Sequence, residues 1–325
     1  MDWTIRTALD WTQAYLTGKG EENPRLASQW LLSAATQLER IELYTHYHQP
    51  LSVDERARLR EGIQRRVAGE PLQYILGRAP FRHLELAMRP GVLIPRPETE
   101  VLVEVVLAEM VLAEEPRSAR PAQPAQSPQP ARSPQPPQPA RSAQGSANTP
   151  LLLLDIGTGS GAIALSLLQE CPHSEVVATD IDPTALALAA ENAETLGLRE
   201  RLILLADDLA SSLVADPAWS AHFDVVMSNP PYIPTAELDK LPNEIAQYES
   251  RQALDGGTDG LAVFRRILDQ ALVLLAPGGL LACELHESTL GQAVVLAEQA
   301  GFVAAKIHRD LTDRERIVTA RKAAL

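Results

Sequence analysis

The sequence predicts an α/β protein: a mostly parallel sheet covered by helices on both faces, its last strand antiparallel, preceded by a small helical domain. Three observations carry that expectation. Beyond residue 150, short apolar runs alternate with helix-like stretches, the pattern of strand–helix crossover units. The first of those runs, Leu151 to Ile156, passes directly into a glycine-rich turn and then a helix. Residues 1–70 instead repeat apolar positions at helical spacing.

Taken in order, Ile5, Leu9, Tyr15 and Leu16 mark one helix, and Leu26, Trp30, Leu31 and Ala34 a second. The second opens at Asn23-Pro24, a capping side chain followed by a proline that forfeits no hydrogen bond in a first turn. Ser52 with Glu55 three residues on has the spacing of a capping box, and the helix it starts ends near Gly69. Arg56, Arg58, Arg60, Arg65 and Arg66 give that helix a basic face, which serves either as a solvated face or as a docking surface. Trp3, Trp11 and Trp30 read as core residues of the small domain. The run Tyr44-Thr45-His46-Tyr47-His48 reads as a helix end, since no further ligands stand near it, and no metal site is expected. Residues 71–96, punctuated by Gly77, Pro80, Pro90 and Gly91, read as a β-hairpin-like connector. A strongly apolar helix follows at 97–115. Residues 116–150 hold ten of the 25 prolines with Ala, Gln, Ser and Arg and no aromatic. Such a segment cannot bury enough apolar surface to offset its ordering entropy, so a disordered insertion is expected there. Strands are then predicted at 151–156, 175–180, 202–206, 224–228, 280–285, 303–308 and 316–320, and helices at 161–170, 183–196, 260–275 and 288–300. The last two strands lack a helix between them and should pair antiparallel. The predicted domains are therefore 1–70, the connector 71–96, and a sheet domain built from 97–115 and 151–325.

Bulk properties narrow the partners. The net charge is −13, and removing the four arginines of 116–150, a segment without acids, leaves −17 on the rest. Phosphate neutralisation supplies most non-specific nucleic-acid affinity, so a nucleic-acid substrate is disfavoured. No apolar run approaches the roughly 20 residues that cross a bilayer. Met1-Asp2-Trp3-Thr4 lacks the layout of a signal peptide, and two cysteines without ligand spacing suit a reducing compartment, so a cytoplasmic location is expected; a monomer is expected as well.

Two loops carry chemistry. In Asp155-Ile156-Gly157-Thr158-Gly159-Ser160-Gly161 the glycines let the backbone pass close to a ligand. The spacing is GxGxG rather than the GxGxxG of dinucleotide sites, and the preceding Asp155 can pair with an ammonium group rather than a phosphate. Asp180, ending the second strand, can accept both hydroxyls of a ribose. Asp208, after the third strand, is either a contact to an adenine amino group or an exposed loop acid. Together these features describe a site for a nucleotide-like ligand with an adenosine moiety. The second loop, Asn229-Pro230-Pro231-Tyr232, has its backbone fixed by two prolines. The Asn229 amide and Pro230 carbonyl can accept hydrogen bonds from a substrate –NH₂ while Tyr232 lies against a planar amide or ring. A delocalised amide nitrogen is a poor nucleophile and must be held in line with the donor methyl, so Asn229 and Tyr232 are positioning groups rather than proton carriers.

These residues resemble the peptide chain release factor glutamine methyltransferases, the PrmC/HemK family. Further stretches share the resemblance: Gly69-Glu70-Pro71-Leu72-Gln73-Tyr74-Ile75-Leu76-Gly77, Leu93-Ile94-Pro95-Arg96-Pro97-Glu98-Thr99-Glu100, Ala253-Leu254-Asp255-Gly256-Gly257-Thr258-Asp259-Gly260-Leu261 and Arg314-Glu315-Arg316-Ile317-Val318. The resemblance spans nearly everything outside 116–150. It implies a Rossmann-like class I methyltransferase fold and methyl transfer from S-adenosylmethionine to the glutamine of the Gly-Gly-Gln motif of release factors, which the helical domain recognises. It assigns Gly157, Thr158, Gly159, Ser160, Gly161, Asp180, Asp208, Leu209 and Asn229 to the cofactor, and Asn229, Pro230, Pro231 and Tyr232 to the substrate. The sequence departs from the family at Leu209, where an aromatic is common, at Glu284-Leu285-His286, where Glu-x-Gly is usual, and at Asp313, where glycine is usual. A nucleic-acid adenine amino-methyltransferase shares the Asn-Pro-Pro-Tyr loop, and a ribosomal-protein glutamine methyltransferase shares the chemistry; both stand as alternatives.

Overall fold

A computed structural model of the chain describes residues 3–113 and 150–324. The insertion expected at 116–150 lies outside them except for Pro150. In chain order the elements are α1 (Ile5–Gly18), α2 (Pro24–Thr36), α3 (Glu42–Thr45), α4 (Val53–Val67), α5 (Leu72–Leu76), the two-stranded sheet β1 (Arg78–Phe81) and β2 (Leu84–Ala87), and α6 (Pro97–Ala113). There follow β3 (Leu151–Ile156), α7 (Ala162–Glu170), β4 (Ser174–Asp180), α8 (Pro183–Thr195), β5 (Leu202–Ala206), α9 (Ser211–Ala215) and β6 (Phe223–Ser228). The chain continues through α10 (Asn243–Tyr248), α11 (Ala262–Leu274), β7 (Leu275–Glu284), α12 (Leu290–Ala300), β8 (Phe302–Arg309) and β9 (Glu315–Lys322).

The residues group into two compact units: Met1–Ala79 with Ala87–Ile94 and Lys240–Ser250, and Pro80–Leu86 with Pro95–Asp239 and Arg251–Leu325. The first unit thus takes in a segment from far along the chain, which sequence alone leaves with the sheet. Its core is built from Ile5, Leu16, Leu31, Leu32, Leu43, Leu59 and Ile63. The capping box at α4 forms as its spacing requires: Glu55 N–H donates to Ser52 Oγ at 3.2 Å and Ser52 N–H to Glu55 Oε2 at 2.6 Å.

Several core assignments shift. Trp11 is 47% exposed and stacks on Tyr15, ring centroids 5.0 Å apart, so an i,i+4 aromatic pair shelters its own faces on the outside of α1. Trp3 is half-buried and meets the edge of Trp11. Trp30 is likewise half-buried, faced by the guanidinium groups of Arg40 at 4.8 Å and Arg78 at 5.7 Å. On α2 the buried stripe runs through Ala27, Leu31 and Ala35, leaving Leu26 and Ala34 exposed. The basic face of α4 is partly spent internally: Arg58 donates to Ala35 O, Arg65 to Glu70, and Arg66 to Glu21 and Glu244. Tyr44 to His48 closes α3, with the His46 N–H donating to Glu42 O.

The second unit is a seven-stranded sheet in the order β5-β4-β3-β6-β7-β9-β8. The strands β5, β4, β3, β6 and β7 run parallel, and β9 pairs antiparallel with β7 on one side and β8 on the other. The centres of β3, β4, β6 and β7 are continuous apolar runs because both faces are buried. One face is covered by α6 and α7 through Leu102, Val106, Leu165 and Leu168; the other by α11 and α12 through Phe264, Ile267, Ala293 and Ala297. Strand order reverses at β3, which puts a crevice at the carboxyl ends of β3 and β6.

Candidate active site

Parallel register aligns the strand ends that carry the site. Ile156 lies opposite Thr179 on β4 and opposite Ser228 on β6, and Ser228 lies opposite Cys283 on β7. One residue further along each strand stand Gly157, Asp180, Asn229 and Glu284, a row across four neighbouring strands. Adjacent strands are spaced about 4.8 Å apart, so the two loops open side by side. Ser228 Oγ donates to Ile156 O at 2.7 Å and ties their roots together.

The glycine loop is held by its backbone. Gly157 and Thr158 N–H both donate to Thr179 O, at 2.8 and 2.9 Å, and Gly161 N–H donates to Thr158 O. Gly157 and Gly161 have φ of 74° and 85°, a region that excludes most side chains; a Cβ at Gly161 would also press on Leu165 and Ala189. Asn192 Nδ2 donates to Ser160 O at 2.9 Å from beneath. Thr158 and Ser160 are buried, so the loop's outward surface at exposed Gly157 is backbone.

Two acids underlie this loop. Asp180 Oδ2 accepts from Gly159 N–H at 2.9 Å and Oδ1 from Asp182 N–H at 2.9 Å. Burial raises its pKa despite those amides. The remaining lone pairs of a carboxylate so fixed can receive a pair of neighbouring hydroxyls. Asp155 is fully buried; its Oδ2 accepts from the Thr158 hydroxyl at 2.7 Å, and Oδ1 has no hydrogen-bond partner among the described residues. Burial pushes its pKa up to about 7. Asp208 lies exposed and its Oδ2 pairs with Arg266 at 2.7 Å. Leu209 adopts φ 58°, an uncommon state for a bulky side chain, and packs partly buried against the core behind β5.

In the second loop, Asn229 Nδ2 donates to Thr99 Oγ1 at 3.0 Å. The Thr99 hydroxyl donates to Glu284 Oε2 at 2.7 Å, and Tyr232 Oη donates to Glu284 Oε1 at 3.3 Å. Glu284 and Thr99 are buried, while Asn229 and Tyr232 are half-buried. Burial lifts Glu284 to about 7, opposed by the Thr99 hydrogen bond. Burial and then the Glu284 charge raise the Tyr232 pKa, so its phenol stays protonated as a donor. Pro230 is buried and Pro231 half-buried.

The Asp255–Gly260 turn forms the floor of this loop. Ile233 N–H donates to Leu254 O at 3.0 Å and Gly256 N–H to Ile233 O at 2.8 Å. A Cβ at Gly256 would stand 2.7 Å from the Tyr232 Cα and carbonyl carbon, and one at Gly260 would fall on the Tyr232 carbonyl oxygen. Only glycine permits that approach. Thr99, Glu284, Gly256 and Gly260 thus join the site, although in the sequence they stand only within family-like stretches or as a departure from them. Their one signal there is the presence of well-defined motifs away from both loops.

Two family models match the chain: the PrmC N-terminal domain over residues 7–77 and the methyltransferase small domain over 147–306. A release factor glutamine methyltransferase of Geobacter sulfurreducens is 42% identical over 283 residues, covering 87% of this chain and 84% of that protein. Proteins of the same name from Moorella thermoacetica and Rhodopirellula baltica are 40% and 36% identical, each over 87% of this chain and 85% and 84% of their own lengths. Identity at that level over most of both chains makes the protein an enzyme of the release factor glutamine methyltransferase family, to which it belongs.

Proposed function

We propose that the protein transfers a methyl group from S-adenosylmethionine to the side-chain amide nitrogen of the glutamine in the Gly-Gly-Gln motif of peptide chain release factors. The observation that carries this reading is the strand register that aligns Gly157 with Asn229. A donor held by one loop and an acceptor nitrogen held by the next then meet at a common edge.

The residues present fit such a cofactor. Exposed Gly157, with nothing within 4 Å of where a Cβ would stand, leaves room at the loop backbone, and the unpartnered Oδ1 of Asp155 suits an ammonium-bearing ligand. Gly157, Thr158, Gly159, Ser160 and Gly161 form the cradle, Asp180 takes the ribose hydroxyls, and Asp208 and Leu209 border the adenine with Asn229 on the methyl side. When bound, S-adenosylmethionine supplies an electrophilic methyl on a sulfonium. Asn229 Oδ1 and the Pro230 carbonyl accept the substrate N–H bonds, and they stabilise the positive charge that gathers on nitrogen as it is alkylated. Pro231 fixes the turn, and Tyr232, kept protonated, bounds the amide plane. The nitrogen becomes acidic only on alkylation, so no base acts before attack.

We read the helical unit as the part that recognises the release factor, and the enzyme as a cytoplasmic monomer acting on protein rather than nucleic acid. The strongly acidic chain supports the last point. No helix among the described residues is long and apolar enough to cross a membrane. Incubation with methyl-labelled cofactor and a bacterial release factor, followed by mass spectrometry of the Gly-Gly-Gln peptide, tests the reading. Label on that glutamine is expected. An unlabelled glutamine beside labelled adenine in naked DNA or RNA, or label on a ribosomal protein instead, would overturn it.

A further inference from the structure

We propose that Glu284, acting through the Thr99 hydroxyl, sets which end of the Asn229 side-chain amide faces the substrate, making Thr99 and Glu284 positioning residues for the transfer. This rests on reading Asn229 as the acceptor of the substrate N–H.

An amide side chain has a donor end and an acceptor end of nearly equal shape, and its neighbours decide which way it lies. For Asn229 the difference is decisive, because an outward Nδ2 would oppose the donors of a substrate –NH₂ with donors of its own. Thr99 cannot settle the matter alone, since a hydroxyl both donates and accepts. Left to itself it could turn its proton toward Asn229 Oδ1 and stabilise the wrong orientation. Glu284 removes that freedom. Its Oε2 takes the Thr99 proton at 2.7 Å, so only a lone pair of Oγ1 remains for Asn229, and Nδ2 fills it at 3.0 Å. The acceptor end of the amide is thereby turned away from Thr99, outward. The other carboxylate oxygen takes the Tyr232 hydroxyl, so one buried acid orients two residues of the substrate loop. Thr99 and Glu284 are 4% and 1% exposed, which excludes competing water and strengthens each bond.

The placement depends on three elements. Glu284 ends β7, Asn229 follows β6 beside it, and Thr99 sits in the first turn of α6. The Ile-Pro-Arg-Pro-Glu-Thr-Glu stretch and the Glu at the end of the fifth parallel strand are then two halves of one device. Charged and titratable groups acting on Glu284 come from α6 as Glu98, from the substrate loop as Tyr232, and from β9 as Arg316.

The test is a kinetic cycle on the full-length enzyme with a bacterial release factor as substrate. Thr99→Val, which keeps the shape and loses the hydroxyl, should lower kcat about 100-fold by mispositioning the amide. KM for the release factor and calorimetric affinity for S-adenosylmethionine should hold, and Thr99→Ser should restore most of the rate. In the Asn229→Ala background, Thr99→Val should cost nothing more, because its effect passes through Asn229. A Thr99→Val enzyme of full rate beside a crippled Asn229→Ala would sink the relay and leave the proposed function standing; so would an equal loss from Thr99→Val in both backgrounds. A full rate for Asn229→Ala would instead remove the reading on which the relay rests. Should Thr99→Val fail to fold, as judged by circular dichroism, Thr99→Ala, which also removes the hydroxyl link to Asn229, takes its place in the same cycle, and the same outcomes support or overturn the relay.

Discussion

At Gly260 the backbone has φ 75° and a Cβ would land on the Tyr232 carbonyl oxygen, so Gly260→Ala must either strain itself or push the Asn229–Tyr232 loop aside. The expected cost is about 3 kcal/mol in stability from overpacking and the unfavourable φ. A kcat loss of about 100-fold should accompany it, since the loop shifts by a fraction of an ångström or more. Unfolding curves and steady-state kinetics on one preparation check both, and an unshifted melting temperature with full activity would contradict the close approach. Glu284 offers a pH test. Its folded pKa is about 7, above the ordinary carboxylate value, so between roughly pH 4 and 7 the native state binds more protons than the unfolded one. Its contribution therefore erodes as pH rises through that window and is flat above it. Glu284→Gln removes the titration, and relative to wild type the variant should gain about 3 kcal/mol between pH 4 and 8. Urea unfolding at both values reads the gain; parallel behaviour would show that the acid is not perturbed. None of this is legible at the residue level from sequence. The hydrogen bonds in question join residues 130 and 185 positions apart, and local pattern carries no information over such distances.

Among the elements, those with a physical signature confined to their own residues read closely from sequence. Strand β3 falls where it is expected, because a strand buried on both faces is a continuous apolar run bounded by polar residues, and β5, a half-buried edge strand, carries a similar apolar run. The capping box of α4 is likewise visible in Ser52 and Glu55. Ser52→Ala should cost about 1 kcal/mol by exposing the helix's first amides, measured by thermal unfolding. No shift in melting temperature would mean that tertiary packing alone sets the start of α4. The short helices α5, α9 and α10, of five to six residues, are not anticipated, and of α3 only the end at Tyr44 to His48 is. Helices that short are held by their surroundings and not by propensity, so sequence gives them no voice of their own. β7 begins five residues earlier than its apolar run suggests, since Pro277, Gly278 and Gly279 look like a turn and instead lie within the strand, where the pairing with β6 shifts register. The tryptophans mislead for another reason: pattern reports hydrophobicity, whereas Trp11 and Trp30 meet theirs with a tyrosine and two arginines at the surface of the helical unit.

For the molecule as a whole, the fold class and the alignment of both loops at one sheet edge follow from the order of strands and turns. The composition of the helical unit does not, because Lys240–Ser250 joins it from beyond the Asn229–Tyr232 loop and supplies Glu244 to Arg66. The position of the last strand matters most at this scale. β9 lies inside the sheet, hydrogen-bonded to β7 and β8 on its two sides, with Ile317, Val318 and Ala320 in the core. A chain stopped after Arg314 should lose that core and leave β8 unpaired, and is expected in the insoluble fraction; a soluble, cofactor-binding product would refute the importance of the central placement.

That placement also has a consequence in time. The ribosome delivers the residues of β9 after those of every other strand, and until they emerge β8 has no neighbour to hold it and β7 shows an open edge. A nascent chain can assemble the five parallel strands early, yet it must keep that edge from pairing with other chains until β9 arrives. The strand that closes the sheet between β7 and β8 is thus the one synthesised after the other six, so order of synthesis and order in space run against each other.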